Sequence, residues 1–321
     1  MNWGYRMSIA VVALVSVFVV VFYTVLPPGA NAVSPLPVIR IISSVQRLTD
    51  PREKLLFVGD VHGRYDALLQ LIDTQYGGID AVDEHTKIVL LGDFLMKGPQ
   101  SKEVADYILS HKDKIACLLG NTEITVLLSA VNPFYRFRMR NPLVFSHNKT
   151  VSSAMRDSAH ELIFEPKGKH RAMVSELGYP RLSRLAEHCT IAAKFDLTLT
   201  GSTLYGVHAG MIPGDFSDDE HALSSVASLV NMKYVNGKNK TQTARKQSSL
   251  PHAKRWYKLW EGTRSPVTVL YGHDASRGLN LRKHTKGLDS GCARGGQLSA
   301  LEYSYNTGDH EYTAQLLQVH C

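Results

Sequence analysis

KLLFVGDVHG, residues 54–63, gives the clearest indication of how this chain folds. Its four apolar residues, Leu55 to Val58, predict a short buried β-strand. The strand runs directly into Gly-Asp-Val-His-Gly, and a helical period follows through Leu68, Leu69, Leu71 and Ile72. A strand, a polar turn and a helix in succession are typical of an α/β sheet, in which ligands bind at the carboxyl ends of the strands.

The same unit occurs twice more along the chain. Ile88 to Leu91 predict a second strand, which leads into GDFLMKGP and a second helical period. Ile115 to Leu119 predict a third strand, which leads into GNTE. Residues 132–199 carry no strong strand pattern and are predicted to form a cap of helices and loops. Later strands are predicted at Thr203 to Val207, Val267 to Tyr271, Gln297 to Tyr303 and Tyr312 to Val319.

Composition and charge restrict the kind of protein. The chain has 321 residues, of which 44% are hydrophobic and 20% are charged, so a folded core is expected rather than disorder. The formal net charge of +7 favours anionic partners. Four cysteines form no CxxC zinc pattern, and whether Cys189 and Cys292 pair stays open.

The amino terminus predicts a membrane anchor. Ser8 to Leu26 contain 19 residues without a charge, which is close to the length that crosses a bilayer core. A cleaved signal peptide is the alternative, because Ala30-Asn31-Ala32 has the form of a cleavage site. We predict a cytoplasmic tip and signal anchor over residues 1–26, a proline-containing stalk over 27–50 and one catalytic domain over 51–321. Two glycosylation sequons, at Asn148 and Asn239, fit a lumenal domain.

Six polar residues follow apolar strands and are all of metal-ligand type. Their mixture of carboxylate, imidazole and amide suits a borderline divalent ion such as Mn, Fe or Zn. Six ligands are too many for one open catalytic site, and they suit two ions bridged by one carboxylate, which promote phosphoryl transfer to water. The six residues are Asp60, His62, Asp93, Asn121, His208 and His273.

The motifs GDVHG, GDFLMKG, GNTE, GVHAG and YGHD, with GLDSGCARGGQLSAL, resemble the calcineurin-like metallophosphoesterases. Within that family they resemble the phosphoprotein-phosphatase branch, its diadenosine-tetraphosphatase-like subgroup and, in particular, the fungal vacuolar endopolyphosphatases. The resemblance implies a sandwich of two mixed β-sheets flanked by helices. It also implies hydrolysis of inorganic polyphosphate by two divalent cations (Zn, Mn, Co or Mg) in a protein of the vacuole membrane with a lumenal catalytic domain.

The resemblance also implies roles for individual residues. Asp60 and His62 would hold one cation, Asp93 would bridge, and the second cation would be held by Asn121, His208 and His273. Lys97 stands where the branch has an arginine and would bind phosphate, with Arg277 and Arg282 as further candidates. As a point charge, lysine holds a phosphate less directionally than an arginine fork.

Position 122 departs from the family motif GNHE, because Thr122 replaces the histidine that protonates the leaving group. Met96 replaces the aspartate that supports that histidine. A hydroxyl is no useful acid near neutral pH, so help of about 10²- to 10⁴-fold would be missing. A phosphoanhydride expels phosphate, whose second pKa is about 6, and can leave as an anion. We therefore expect activity on polyphosphate but not on phosphoproteins.

Three functions stay open on the sequence alone. Polyphosphate hydrolysis is favoured, and the basic run 233–264 together with Arg136, Arg138 and Arg140 offers a path for a long chain. A dinucleoside polyphosphate or RNA-cap pyrophosphatase is the alternative enzyme, for which Phe94, Tyr135 or Trp256 would stack on a base. A polyphosphate-binding protein with little turnover is the third. We expect no nucleic-acid partner, and no protein partner is predicted.

Overall fold

The computed structural model describes residues 36–43, 45–131, 143, 145–146, 167–217 and 223–321. Residues 36–321 form one compact unit. Its α-helices within the described residues are α1 (Tyr65–Tyr76), α2 (Ser101–Ser110), α3 (Asn121–Val131), α4 (Gly168–Leu177), α5 (Tyr179–His188) and α6 (Val226–Asn231). Its strands there are β1 (Ile39–Ile42), β2 (Gln46–Leu48), β3 (Lys54–Val58), β4 (Thr86–Leu90), β5 (Ile115–Cys117), β6 (Phe145–Ser146), β7 (Thr190–Leu197), β8 (Ser202–Val207), β9 (Tyr234–Asn236), β10 (Thr243–Ala244), β11 (Ala253–Arg255), β12 (Val267–Tyr271), β13 (Asn280–Leu281), β14 (Thr285–Gly287), β15 (Gln297–Asn306) and β16 (Glu311–His320).

The first sheet has the strand order β16-β15-β3-β4-β5. Strands β3, β4 and β5 are parallel, with Val58 opposite Leu90 and Leu90 opposite Cys117. Their carboxyl ends therefore lie side by side at one edge of the sheet. Asp60, Asp93 and Asn121 follow these three ends, as the sequence predicts. The hairpin of β15 and β16 adds an antiparallel pair beside β3.

The second sheet has the order β13-β14-β12-β8-β7-β1-β6, and β2 also pairs with β7. Strands β8 and β12 are parallel neighbours, with Tyr205 opposite Val269. His208 directly follows β8, and His273 lies two residues after β12. Two strands of this sheet thus present imidazoles at one edge, just as three strands of the first sheet present carboxylates and an amide.

The two sheets pack face to face. Phe57 of β3 and Phe195 of β7 meet edge to face with ring centroids 5.4 Å apart, within one buried apolar cluster that also contains Leu204 and Leu270. Alternate residues of β3, such as Leu56, face the other way and pack with the helices. The predicted α/β class with mixed sheets and flanking helices is therefore confirmed.

Strands also form in two segments that the sequence analysis assigned to other structure. Strand β7 lies in the segment assigned to helices and loops, although α4 and α5 in the same segment are helical. Strands β1 and β2 lie in the segment assigned to a stalk. Ile39, Ile41 and Ile42 are buried where β1 pairs with β7, so burial of these apolar residues outweighs the nearby prolines.

The basic run 233–264 contains a small sheet of order β10-β9-β11. It is therefore more ordered than the solvated loop that its charge predicts. All four cysteines are paired: Cys117 with Cys189, and Cys292 with Cys321. Cys189 and Cys292, whose pairing the sequence left open, each bond a different cysteine.

The predicted membrane span, residues 8–26, lies outside the described residues, as do Asn148 and the three alternating arginines. Within residues 36–321, no helix that the structure describes has the length and apolar character needed to traverse a bilayer.

Candidate metal centre

Asp60, His62 and Asp93 form a buried group at the ends of β3 and β4. One ligand atom from each lies within 4.8 Å of the other two. His62 Nε2 is 3.6 Å from Asp60 Oδ2 and 3.5 Å from Asp93 Oδ2, distances longer than a good hydrogen bond. Two buried carboxylates and an imidazole at this spacing form a donor set that suits a divalent cation.

Asp93 connects this group to a second set of side chains. Its Oδ1 lies 3.4 Å from His208 Nε2, whereas its Oδ2 faces His62. His208 Nε2 also lies 3.2 Å from Asn121 Oδ1, and the His208 and His273 ring centroids are 5.0 Å apart. All six residues that the sequence nominates are thus brought together, with Asp93 between the two sets.

Main-chain carbonyls orient two of the imidazoles. His62 Nδ1 lies 3.2 Å from the Leu95 carbonyl, and His208 Nδ1 lies 2.8 Å from the Leu91 carbonyl. A carbonyl accepts, so each Nδ1 carries the proton and each Nε2 presents a lone pair toward Asp93. His273 Nε2 is buried and has no hydrogen-bond partner among the described residues. An orphaned imidazole nitrogen beside two carboxylates fits a metal ligand.

Strained backbone places several of these residues. His62, Asp93, Met96, Lys97 and His273 all have φ between 47° and 70°, a region that side-chain-bearing residues rarely adopt. Such strain persists where the surrounding structure fixes it, and it concentrates at functional sites.

The buried Glu123 carboxylate fixes part of this backbone, and the sequence analysis assigned it no role. It accepts hydrogen bonds from the N–H groups of Asp93 (2.8 Å), Leu95 (2.9 Å) and Gly120 (2.9 Å). Burial, followed by the charge of Asp93, raises the pKa of Glu123 to about 8. Its position in GNTE, directly at the start of α3, was the available signal.

The charges in the site control the protonation of its members. Burial, then the neighbouring Asp289 and Asp93 carboxylates, raises the pKa of Asp60. Burial opposes ionisation of Asp93, but the positive charges that His208 and His62 carry when protonated, together with that of Lys97, outweigh it and lower the pKa of Asp93. Burial, then the adjacent His208, lowers the pKa of His273. A neutral imidazole is the form that binds a metal.

Glycines make room for the two carboxylates. A Cβ at Gly120 would collide with Asp93 Oδ1, and a Cβ at Gly272 would collide with Asp60 Oδ1. Gly120 belongs to the quoted GNTE motif, whereas the importance of Gly272 in YGHD becomes clear from the packing. Both positions keep the main chain close to the buried oxygens.

A cavity of about 620 Å³ opens above Asp60, Asp93, Asn121 and His273. Lys97 lines it and lies with its Nζ 2.6 Å from His62 Nε2. The ammonium group therefore lies against the imidazole nitrogen that faces both carboxylates. The basic side chains that line this cavity are Lys97, Lys167, Lys169, Lys233, Arg245 and Arg294.

Arg277 and Arg282, the other two phosphate candidates, do not line the cavity. The Arg282 guanidinium bonds Glu261 over 2.5 Å and lies 4.5 Å from the centre of the Tyr257 ring. Arg277 lies 6.0 Å from the centre of the same ring. An ion pair and an aromatic surface thus hold Arg282 away from the metal centre, and Ser276 lines the cavity from this loop instead.

Two of the three aromatic residues predicted to stack on a base, Phe94 and Trp256, are buried and not available to a ligand. Phe94 is fully buried and Trp256 is 2% exposed, while Tyr135 lies outside the described residues. Both described rings belong to the apolar core. The cavity therefore offers charge to a ligand, without a ring from Phe94 or Trp256.

Sequence reasoning missed several residues of the cavity wall. Asp289 is buried, lines the cavity and is close enough to Asp60 to raise its pKa. Arg294 lies five positions later, in the quoted run GLDSGCARGG. His170 joins Lys167 and Lys169 from the first turn of α4. No local pattern distinguishes these lysines from ordinary surface charge.

Thr122 lies where the motif comparison places it. It lines the cavity, is buried to 8% exposure and donates its N–H to Asp93 Oδ1 over 2.8 Å. Met96 is also buried and lines the cavity. Neither side chain supplies an acid of useful pKa, so the site has no proton donor at the position where the family motif has a histidine.

Comparison with known proteins agrees with this geometry. The family model described as calcineurin-like phosphoesterase matches residues 53–304. A zinc-dependent endopolyphosphatase of Saccharomyces cerevisiae is 41% identical over 298 residues, which cover 92% of this chain and 89% of that protein. A symmetrical bis(5'-nucleosyl)-tetraphosphatase of Pseudomonas fluorescens is 26% identical, covering 80% of this chain and 93% of that protein.

A solved structure supports the fold. A protein provisionally assigned as a diadenosine tetraphosphatase matches with a TM-score of 0.55 and 19% identity, covering 85% of this chain and 98% of that chain. The family model spans the strands that carry all six metal-type ligands, and the sheets, the buried Asp-His-Asp group and the relatives agree. The chain therefore belongs to the calcineurin-like phosphoesterase family.

Proposed function

We propose that this protein is a zinc-dependent endopolyphosphatase that hydrolyses phosphoanhydride bonds within inorganic polyphosphate. The observation that carries the proposal is a cavity in which six basic side chains accompany three buried carboxylates, Asp60, Asp93 and Asp289. A substrate with a negative charge on every unit complements that wall. The 41% identity to the yeast enzyme supports the same substrate.

Six residues would hold two divalent cations, with zinc as our first choice. Asp60 and His62 would hold one, Asn121, His208 and His273 would hold the other, and both cations would share Asp93. When bound, such ions supply a hydroxide nucleophile near neutral pH and neutralise charge on the phosphoryl group. The orphaned His273 Nε2 and the carbonyl-oriented His62 and His208 support this assignment.

The remaining residues would bind and orient the substrate. Lys97, beside His62, would bind the phosphate that is attacked, and Arg294 and Lys233 would bind its neighbours. Thr122 would add no proton. A phosphate leaving group with a second pKa of about 6 departs as an anion, so it needs none. An alkoxide leaving group would need that proton, which restricts the site to anhydrides.

The test uses protein stripped of metal and reloaded with Zn, Mn, Co or Mg. We expect zinc-loaded protein to shorten polyphosphate of defined length into intermediate products, which internal cutting produces and terminal cutting does not. Asp93→Asn should abolish hydrolysis and lower the amount of bound zinc, because it removes the negative charge that the two cations would share. Asp66→Asn, an exposed acid in the first turn of α1, is the matched control and should alter neither quantity.

Two outcomes would favour other functions. Diadenosine tetraphosphate cleaved in preference to polyphosphate would indicate a nucleotide pyrophosphatase. Tight binding of polyphosphate with no metal-dependent release of phosphate would indicate a binding protein. Equal rates on polyphosphate and an alkyl phosphoester would contradict the role given to Thr122.

We further propose that residues 8–26 anchor the enzyme in the vacuole membrane, with the catalytic domain in the lumen. Two paired disulfides support an oxidising compartment. Asn239 is exposed, so its sequon is accessible to a glycan. A glycosidase-sensitive gel shift that Asn148→Gln and Asn239→Gln together remove would support the lumenal side. Protein that carries no glycan and faces the cytosol would contradict it.

A further inference from the structure

A second cavity, which we call the distal cavity, lies beside the metal centre and has a volume of about 570 Å³. It shares Lys233, Arg245 and Ser276 with the cavity of the metal centre. Because the same side chains line both, the two cavities adjoin at this wall. The distal cavity extends from there toward Tyr234, Lys246 and Arg255.

The distal cavity is strongly cationic. Four basic side chains line it, and no carboxylate of the described residues belongs to its lining. Asp274, behind the wall, bonds Lys233 over 2.6 Å and Arg255 over 2.5 Å. Arg245 and Lys246 make no ion pair with any residue in the described part of the chain. Two uncompensated positive charges therefore face the cavity.

Main-chain and side-chain contacts fix this wall. Arg245 and Lys246 directly follow β10, which pairs with β9. The Lys233 N–H donates to the Ala244 carbonyl over 3.0 Å, and Thr243 Oγ1 lies 2.7 Å from Ser228 Oγ. The Arg255 guanidinium lies 4.4 Å from the centre of the Tyr234 ring. The charges thus belong to a small sheet rather than to an unanchored loop.

Other basic side chains line the cavity of the metal centre but not the distal cavity. Lys167 and Lys169 lie at the start of α4, which packs against α3. Neither residue lines the distal cavity, and neither does Arg294. The cavity of the metal centre is therefore lined both by basic side chains at the start of α4 and by basic side chains next to β9 and β10.

We propose that the distal cavity binds phosphates of the polyphosphate chain beyond the linkage that is cut. A long chain would then lie across Asp60 and Asp93 with cations on both sides, and cleavage would fall inside the chain rather than at its end. This inference rests on the proposed function, and it assigns to Arg245 and Lys246 the recognition of chain length.

The test compares two double variants of the zinc-loaded, full-length protein. Arg245→Gln with Lys246→Gln removes the uncompensated pair. Lys238→Gln with Lys240→Gln removes the same charge from exposed positions of the same β9–β10 connection, outside both cavities, and keeps the Asn239 sequon. The measurements are kcat/KM on long-chain polyphosphate and on tripolyphosphate, the product ladder, and the salt dependence of long-chain binding.

We expect the first variant to lose about 10-fold more kcat/KM on long chains than on tripolyphosphate, while the control shows no such length dependence. The negative slope of log affinity against log salt should become shallower by about 1 to 2. Each basic side chain that is removed means one phosphate contact fewer, so fewer counterions are released when the chain binds. The product ladder should also shift toward products from the chain ends.

Equal losses on both substrates, or an equal loss in the control variant, would overturn the inference. If the wild type hydrolyses neither substrate, the proposed function fails, and the binding measurement still decides the distal cavity. Long-chain affinity that drops in the first variant and not in the control would support the subsite, and equal affinities would refute it.

Discussion

The Thr122 main chain, rather than its side chain, holds the Asp93 carboxylate: the N–H of Thr122 donates to Asp93 Oδ1 over 2.8 Å. Any residue at position 122 other than proline retains that bond. The loss of the family's histidine therefore leaves the position of the bridging carboxylate intact. Binding of the cation and protonation of the leaving group become separable properties of this site.

Thr122→His should add activity on an alkyl phosphoester and change polyphosphate hydrolysis little. An imidazole at this position supplies the missing acid, and the lower end of general-acid help, about 10²-fold, is expected because Met96 gives it no carboxylate partner. The measurement is kcat/KM on both substrates. Thr122→Ala is the control and should leave both rates near the wild type. A histidine variant that gains nothing on the alkyl ester would contradict this account.

Glu123→Ala should destabilise the fold and lower zinc affinity together. The substitution leaves the N–H groups of Asp93, Leu95 and Gly120 without their acceptor. Each buried unpaired donor costs about 1–3 kcal/mol, so the free energy of unfolding should fall by about 3 kcal/mol or more. Thermal unfolding and zinc content are the measurements.

Glu302→Ala provides the comparison for Glu123. Glu302 is also buried, and it accepts from Gln75 and Tyr76 on the far side of the first sheet. Its loss should lower stability and leave the zinc content unchanged. Equal zinc loss in the two variants would mean that Glu123 has no special effect on the metal ligands.

After removal of metal, the stability of the fold should depend on pH, and this dependence should come from Asp60. Burial and the Asp289 and Asp93 carboxylates raise the pKa of Asp60, so the folded protein retains a proton that the unfolded chain releases above about pH 4. Stability from this group is present below that pH and is lost as the pH rises through the raised pKa.

Asp60→Asn isolates that contribution. In the presence of chelator, the variant should match the wild type near pH 4 and unfold at a higher temperature near pH 8, because the substituted amide carries no charge toward Asp93. When zinc is bound, the wild type should no longer unfold at a lower temperature near pH 8, since a bound cation stabilises the ionised carboxylate. A constant difference in Tm across this pH range would contradict the assignment.

The Cys292–Cys321 disulfide should affect substrate binding as well as stability. It joins the carboxyl terminus to the turn that carries Asp289 and Arg294, and its loop of 29 residues suggests a contribution of about 3 kcal/mol. Replacing both cysteines by serine should lower the Tm and raise KM for polyphosphate. The same change at Cys117 and Cys189 should lower the Tm with a smaller effect on KM, because the turn after Cys117 is also held by the hydrogen bonds of Gly120 to Glu123 and of Thr122 to Asp93. Equal changes in KM would exclude a specific role for the Arg294 turn.

Local sequence was sufficient for the ligand set and for the strands that present it. In GDVHG, GDF and GNTE the strand, the turn and the polar residue are neighbours in the chain, so a few residues determine where each side chain emerges. The hydrophobic pattern did not predict strand β7, because its residues TIAAKFDL are almost all buried and do not alternate between apolar and polar. It also failed for β1, where prolines nearby suggested a linker and burial against β7 was not visible.

Local motifs were enough to predict which six side chains meet at the strand ends, that Thr122 leaves the site without an acid, and that the surface favours anions. Which charges line the cavity depends on packing between distant segments. The tertiary structure buried Phe94 and Trp256, paired Arg282 with Glu261, and brought Lys167 and Arg245 to the cavity from distant segments. A metal-ligating side chain at a strand end is positioned by its own strand. A basic side chain on a connecting segment is positioned by the elements that pack around that segment.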